Sequence, residues 1–411
     1  MNKSLVVHVT EHYEGLKAKQ PSLFWSDNRS LFEQGTAFLN DEYCQSGARS
    51  SPRTWKNVAD NLSFWVNWCF AANLDWQHAS RDDLIDYLDG LKTAISPQTH
   101  QEYATGTIAP RIETAIAFCD YGRRKGFYSG DILSDDTLSK LLGHHDQPQG
   151  ESASSLVPAR RPKKNAIRPF KPTELRAFLI QMGPSPLERS SEAQRPSRDR
   201  VMADWGWVVG LRLSEILGLG CYQLLALVPD EDVPFENQAI TVRGKGNYER
   251  NVAVPNWLVE DTIAYIEGER AEAIKAGGLR RQTDVIFVSG IRSRRPGLPI
   301  TDRRFQSIVE SACLRAGLTR LKLIKDAEPD MPTRVPMAAH CVHDLRHTYA
   351  VLTYWAEAQN GNAEPWKIIQ AQLGHARLET TIRTYLKYVQ LFGPRGNQDI
   401  RTLAGLRKPS E

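Results

Sequence analysis

The chain has 411 residues, 41% of them hydrophobic, and a formal net charge of +4. This length and content suffice for two or three domains with apolar cores. No apolar run approaches the roughly 18 to 20 residues needed to span a bilayer, and the N-terminal apolar stretch is too short and interrupted for a signal peptide. We therefore expect a cytoplasmic protein.

The charge is distributed unevenly along the chain. Residues 1–150 hold 14 Lys and Arg against 19 Asp and Glu, a net of −5, whereas residues 151–411 hold 38 against 29, a net of +9. The second part is the better candidate for binding a polyanion. The six cysteines include no CxxC pair, so they predict neither a disulfide framework nor a thiolate zinc site.

The first half of the chain predicts a helical domain. Residues 1–48 show no regular pattern, and we treat them as an extension of unknown role. From residue 49 to 149, apolar residues recur at helical intervals, as at Trp55, Val58 and Leu62. The aromatic residues of this stretch are expected to form its core.

Residues 150–172 mark a change in composition. Small residues and prolines are followed by closely spaced cations, which is typical of an extended basic linker. The linker cations that are candidates for binding a polyanion are Arg160, Arg161, Lys163, Lys164 and Arg168. A solvated tether and a strap along the phosphates of a charged backbone fit this spacing equally well.

Residues 173–392 predict a mixed helical domain with a small antiparallel sheet. Thr173 is at a plausible helix N-cap, and Arg212 and Glu215 follow a glycine between two apolar helical stretches. Two alternating strands then flank a Gly-Lys-Gly turn, which places Lys245 at or near a hairpin tip. The proline-rich segment 326–338 is predicted to be a loop.

Four of the ten histidines lie in the last part of this domain: His340, His343, His347 and His375. His343 and His347 are four residues apart, so a helix would place both on one face, as in a zinc-binding HxxxH motif. Arg346 opposes this interpretation, because a permanent cation beside a divalent ion is unfavourable. We expect no metal and no other cofactor.

Five motifs in order resemble those of the tyrosine recombinase family, the phage-integrase type of site-specific DNA recombinase. They are "GLRLSE" with Arg212 and Glu215, "GKG" with Lys245, "HDLRHTYA" with His343 and Arg346, "LGH" with His375, and "TTIRTY" with Tyr385. The resemblance implies a helical core-binding domain at 49–149 and a catalytic domain at 173–392. Residues 393–411 are similar to the family's C-terminal segment or form a tail.

The resemblance implies a reaction without metal, in which a tyrosine attacks a DNA phosphodiester and forms a 3′-phosphotyrosine. Arg212 and Arg346 suit the stabilisation of a phosphoryl transition state, because a guanidinium offers two parallel donors. By resemblance, His343 and His375 contact the phosphate and assist proton transfer, Lys245 protonates the departing 5′ oxygen, and Glu215 holds Arg212.

The tyrosine register has two candidates. Tyr385 completes the "TTxxTY" pattern ten positions after His375, whereas many family members use nine, and position nine here is Thr384. Tyr388 lies three residues further along, on an overlapping helix face, and is the reserve nucleophile.

The resemblance also implies double-stranded DNA as the partner, a homotetramer on two duplexes, DNA-bending accessory proteins, and a bacterial-type cytoplasmic location. Two other interpretations remain open at this point. One is a DNA-binding regulator or accessory protein with the same fold that does not cut. The other is a zinc-dependent hydrolase built on His343 and His347.

Overall fold

The structure is a computed structural model of the chain. It describes residues 4–9, 17–45, 51–97, 99–132, 167–190, 193, 195–244, 248–278, 283–324 and 333–392. These residues divide into two compact units, the first comprising the described residues up to 132 together with 323–324 and 333–334, and the second the other described residues from 167 onward. Four linker cations (Arg160, Arg161, Lys163 and Lys164), Lys245 and the segment 393–411 lie outside the described residues. The predicted boundaries at 49, 150 and 173 stay predictions.

The first unit is a helical bundle with one small sheet. Its elements are β1 (Leu5–Val9), β2 (Pro21–Trp25), α1 (Glu33–Leu39) with a π-helical turn (Asn40–Cys44), α2 (Pro52–Ala71), α3 (Arg81–Thr93) and α4 (Thr105–Lys125). Side-chain caps begin two of these helices: Ser51 accepts from the backbone N–H of Thr54, and Ser80 forms a capping box with Asp83. The helices expected from the periodicity around Trp55 are therefore present.

The described part of the N-terminal segment belongs to the core of the first unit. Leu23, Phe32 and Leu39 are at most 2% exposed and pack in the same apolar cluster as Leu62 and Trp65. The sequence gives no sign of this, because the elements are five to seven residues long and too short to show a period.

The second unit is mainly helical with a small hairpin. Its elements are α5 (Pro172–Met182), α6 (Ser197–Trp207), α7 (Leu213–Leu217), α8 (Cys221–Leu225), β3 (Asn237–Arg243), β4 (Glu249–Pro255), α9 (Asn256–Tyr265), a π-helical turn (Ile266–Arg270), α10 (Ala271–Gly277), α11 (Asp302–Arg315), β5 (Thr319–Ile324), β6 (Thr333–Ala338), α12 (Val342–Gln359), α13 (Pro365–Leu373) and α14 (Leu378–Phe392). The sheets are antiparallel pairs, so the predicted fold class, mainly α with small antiparallel sheets, is confirmed.

The predicted hairpin is present, with Ile240 paired to Val252 and Val242 paired to Arg250. Two local predictions were wrong. Helix α5 begins at Pro172, one residue before the predicted cap Thr173, because proline is favoured in the first turn. The end of the proline-rich segment forms strand β6, since a two-stranded sheet has free edges that tolerate a proline such as Pro336.

Two apolar clusters include neighbours of the predicted site residues. The larger contains Leu211, Ile216 and Leu345, and the smaller contains Leu373 and Tyr385. Elements α7, α12, α13 and α14 are therefore held by close packing. No helix within the described ranges combines the length and apolar character needed to cross a membrane.

The packing of the N-terminal segment gives the first testable prediction. We expect Phe32→Ala to lower the free energy of unfolding of the first unit by about 3 to 5 kcal/mol, because it removes a fully buried ring. The neighbouring Leu31 is 42% exposed, and Leu31→Ala is the matched control. Urea unfolding followed by tryptophan fluorescence measures both. Equal, small effects of the two substitutions would show that the segment is not part of the core.

Candidate active site

Arg212 is held at the start of α7 by a carboxylate three residues away. The Glu215 side chain accepts hydrogen bonds from the backbone N–H of Arg212 (2.8 Å) and from its Nη1 (2.8 Å). The preceding Gly210 has φ +74°, and a Cβ there would lie 2.6 Å from Tyr349 Cδ1 and 2.8 Å from Leu373 Cδ2. Only glycine fits this turn, which brings the backbone close to α12 and α13.

A second arginine, which the sequence motifs did not indicate, binds the same carboxylate. Arg250 donates from Nη1 (2.8 Å) and Nη2 (3.0 Å) to Glu215 in a bidentate pair. Its Nε also donates to the carbonyl of Gln372, 3.2 Å away, just before His375. A signal was present in strand β4, where Arg250 falls on the same inward face as Val252 and Val254.

The third guanidinium is that of Arg346, which is 2% exposed. It donates to the carbonyl of Gly210 (2.7 Å) and of Leu373 (2.6 Å), and its Nη1 lies 3.8 Å from the Glu215 carboxylate. Burial and then the charge of Arg212 lower the pKa of Arg346 to about 10. The group is therefore still a cation at neutral pH.

Glu215 thus lies beside three guanidiniums and is almost fully buried, at 3% exposure. Burial alone would raise the pKa of this carboxyl, but the hydrogen bonds from Arg250 and Arg212 outweigh burial and hold the pKa at about 2. With one anion among three cations, the cluster is net positive. Such a cluster suits the binding of an anionic group.

His375 adjoins this cluster at the end of α13. Its Nε2 is 3.5 Å from Arg346 Nη2, and its Nδ1 is 2.8 Å from the hydroxyl of Thr381. Burial, and then the charges of Arg346 and Arg212, lower the pKa of His375 to about 4. The imidazole is therefore neutral at physiological pH, and Thr381 fixes its orientation.

Helices α12 and α14 bring two histidines together with one of the candidate tyrosines. The rings of His343 and His347 meet edge to face, 4.5 Å apart. His347 Nδ1 lies at hydrogen-bond distance, 3.2 Å, from the hydroxyl of Tyr385. The sequence suggested His347 only as a partner of His343 in a zinc site, so its contact with Tyr385 is a second feature that the motifs missed.

The two candidate tyrosines have different surroundings. Tyr385 is 1% exposed, and burial raises its pKa to about 12 against the opposing charges of Arg346 and Arg212. Tyr388 is half-buried, and its pKa is raised by burial and then by Glu174. The arginine cluster therefore acts electrostatically on Tyr385.

The remaining predicted residues are placed as follows. Of the linker cations only Arg168 is described, and its Nη2 is 4.0 Å from the Asp344 carboxylate, at the start of α12. The structure does not describe Lys245. Within the described ranges, no group of three or more His, Cys, Asp or Glu is arranged to hold a metal, so the zinc-hydrolase alternative has no third ligand there.

Comparisons with known proteins find similar sequences and a similar fold over most of the chain. The model of the phage integrase family matches residues 186–390, which include the described site residues Arg212 to Tyr388. Tyrosine recombinase XerC of Lactobacillus delbrueckii subsp. bulgaricus is 26% identical over 361 residues, which cover 86% of this chain and 92% of the relative. Tyrosine recombinase XerC of Herpetosiphon aurantiacus is 26% identical over 354 residues, 85% of this chain and 88% of the relative.

The crystal structure of the XerH site-specific recombinase bound to a palindromic difH substrate, a post-cleavage complex, matches at a TM-score of 0.52. It covers 89% of this chain and 83% of that one at 15% identity, which establishes a shared fold. The chain belongs to the phage integrase family. It is a tyrosine recombinase, an enzyme that breaks and rejoins DNA strands.

The orientation of His375 gives the second prediction. Thr381 is fully buried, and Thr381→Val keeps its shape while removing the hydroxyl that contacts Nδ1. We expect DNA strand cleavage to fall about tenfold, the equivalent of roughly 1.4 kcal/mol, with the fold and DNA affinity unchanged. The exposed neighbour Thr380 offers the control, Thr380→Val. Single-turnover cleavage measures the effect; equal rates for the two variants would mean that Thr381 does not orient His375.

Proposed function

We propose that the protein carries out site-specific recombination of double-stranded DNA, with Tyr385 as the nucleophile that forms a 3′-phosphotyrosine. The observation that carries this assignment is the electrostatic and hydrogen-bonding environment of the Tyr385 hydroxyl. Arg346 and Arg212 both act on this phenol, and His347 contacts it directly.

The arginines fit the electrostatic demand of phosphoryl transfer. Attack on a phosphodiester adds negative charge to the non-bridging oxygens, and cations already fixed in place stabilise that charge without reorganising. Arg212, which is about 30% exposed at its side chain, is the one positioned to reach a DNA phosphate. Arg346 donates hydrogen bonds to two backbone carbonyls, so it contributes a buried positive charge that is fixed in position.

Tyr385 needs this environment, because a buried phenol is a poor nucleophile. Its pKa of about 12 leaves it protonated at neutral pH. A bound phosphate brings an electrophile next to the phenol, while the guanidiniums favour the phenolate that develops during attack. Storing the phosphodiester bond as a phosphotyrosine allows the strand to be rejoined without ATP.

The other predicted roles belong to the same proposal. His343 and His375 contact the phosphate, and Lys245 protonates the 5′ oxygen. Linker cations of the stretch 160–168 follow DNA phosphates, with a corresponding dependence of affinity on salt. Exchange between two duplexes requires four protomers, and proteins that bend the DNA assist their assembly.

The proposal is tested by covalent capture, which gives the third prediction. The protein is incubated with fragmented DNA from its host in EDTA, the reaction is stopped with SDS, and the adducts are sequenced and mapped to a peptide. We expect a metal-independent adduct on Tyr385 that Tyr385→Phe abolishes, because the arginine cluster acts on that phenol. Tyr388→Phe is the matched control on the same helix and should keep the adduct.

Two outcomes would contradict the proposal. An adduct that survives in Tyr385→Phe and disappears in Tyr388→Phe would move the nucleophile to Tyr388. The second outcome is tight binding of duplex DNA without any adduct, even when a cell-free extract of the host is added to supply accessory proteins. It would favour a regulator with the recombinase fold that does not cut.

A further inference from the structure

The contact between His347 and Tyr385 is not explained by any role assigned so far. His347 Nδ1 is 3.2 Å from the phenol oxygen, and the two rings are inclined at 68° with their centroids 5.6 Å apart. Among the described residues, His347 is the one hydrogen-bond partner of this hydroxyl. The contact joins α12 to α14, the helix that carries the proposed nucleophile.

Each neighbouring histidine is placed for a different task. His343 is exposed and can be reached by DNA, whereas His347 lies one helical turn further along α12 and is half-buried. The two nitrogens of His375 face Thr381 and Arg346. His347 is therefore the imidazole whose nitrogen is directed at the phenol.

The charge state of His347 makes it an acceptor. Burial first, and then interactions with His343, Arg346 and His375, lower its pKa to about 3. A neutral imidazole has one N–H and one lone pair. The charges of Arg346 and Arg212 make the phenol more acidic against the effect of burial, which favours donation of its O–H to the lone pair on Nδ1.

We propose that His347 is a catalytic residue that accepts the proton of Tyr385 as the phenol attacks DNA. This inference rests on the proposed function of Tyr385. The O–H bond of the tyrosine breaks and its proton moves to Nδ1, while the phenol oxygen forms a bond to phosphorus. The bond from phosphorus to the 5′ oxygen breaks, and that oxygen keeps the electron pair and takes a proton from Lys245. Rejoining runs through the same steps in reverse.

DNA itself makes His347 more basic. In the free protein, burial and then the neighbouring groups disfavour a positive charge on the ring. A bound phosphodiester adds one negative charge near the ring, and the transition state adds a further one. The free-energy cost of protonating His347 is therefore lower while the phenol attacks the phosphorus. The residue is thus neutral without DNA and becomes an effective base at the point of attack.

The fourth prediction separates proton transfer from packing. His347→Phe keeps an aromatic ring but has no acceptor, and His347→Asn places an amide oxygen near the position of Nδ1. The substrate is the DNA duplex that covalent capture identifies. We expect its single-turnover cleavage rate to fall about a hundredfold in His347→Phe and by a smaller factor in His347→Asn. Thermal unfolding and DNA affinity are measured in parallel, so that loss of fold is recognised.

A fluorinated tyrosine at position 385 makes the test decisive. Fluorination lowers the pKa of the phenol and so reduces the need for a base. We expect fluorination to raise the cleavage rate of His347→Phe by a factor about tenfold or more larger than the factor by which it changes the wild-type rate. The same fluorinated residue at position 388 is the control and should restore nothing. If fluorination at 385 changes both proteins by the same factor, His347 only packs against the ring and the inference is wrong. The wild-type adduct on Tyr385 tests the proposed function independently of this result.

Discussion

The carboxylate of Glu215 is the interaction on which the rest of the site depends. It accepts hydrogen bonds from Arg212 and Arg250 and lies 3.8 Å from Arg346. Three guanidiniums this close would repel one another without a shared anion. Because the carboxylate is buried and stays ionised, it fixes their positions while leaving an excess of positive charge for a phosphate.

The arrangement also connects separate parts of the second unit. Arg250 extends from strand β4 to the carbonyl of Gln372, and the side chain of Gln372 returns to strand β4 through the N–H (3.0 Å) and carbonyl (2.8 Å) of Ala253. The same amide donates to the carbonyl of Val209, 3.2 Å away, just before the turn at Gly210. One network of hydrogen bonds therefore joins the hairpin, the Arg212 turn and the His375 turn, which suits electrostatic catalysis because preorganised dipoles and charges need not move.

The sequence identified the family and much of the site because most of the relevant residues occur in short motifs. Arg212 with Glu215, and His343 with Arg346, lie within one helical turn of each other, so local spacing is sufficient. Arg250 and Glu215 are 35 positions apart and meet only in the folded unit. The strand alternation indicated an inward-facing arginine without identifying its partner.

The tyrosine register shows the same limit. Tyr385 and Tyr388 share overlapping helix faces, and only the packing of α14 against α12 determines which phenol meets His347. The N-terminal segment was missed for a different reason: five-residue strands and a seven-residue helix are too short for periodicity to be recognised. Long-range packing, rather than local propensity, incorporates this segment into the first unit.

The shared carboxylate has a consequence for how this protein can change over evolutionary time. Loss of Glu215 would leave buried cations without a counter-ion, and loss of Arg250 would leave a buried anion with fewer donors. Neither position can drift freely while the other is retained. We therefore expect the two residues to be retained or replaced together, because a chain that lost one of the two charges would be stabilised by a compensating change at the other.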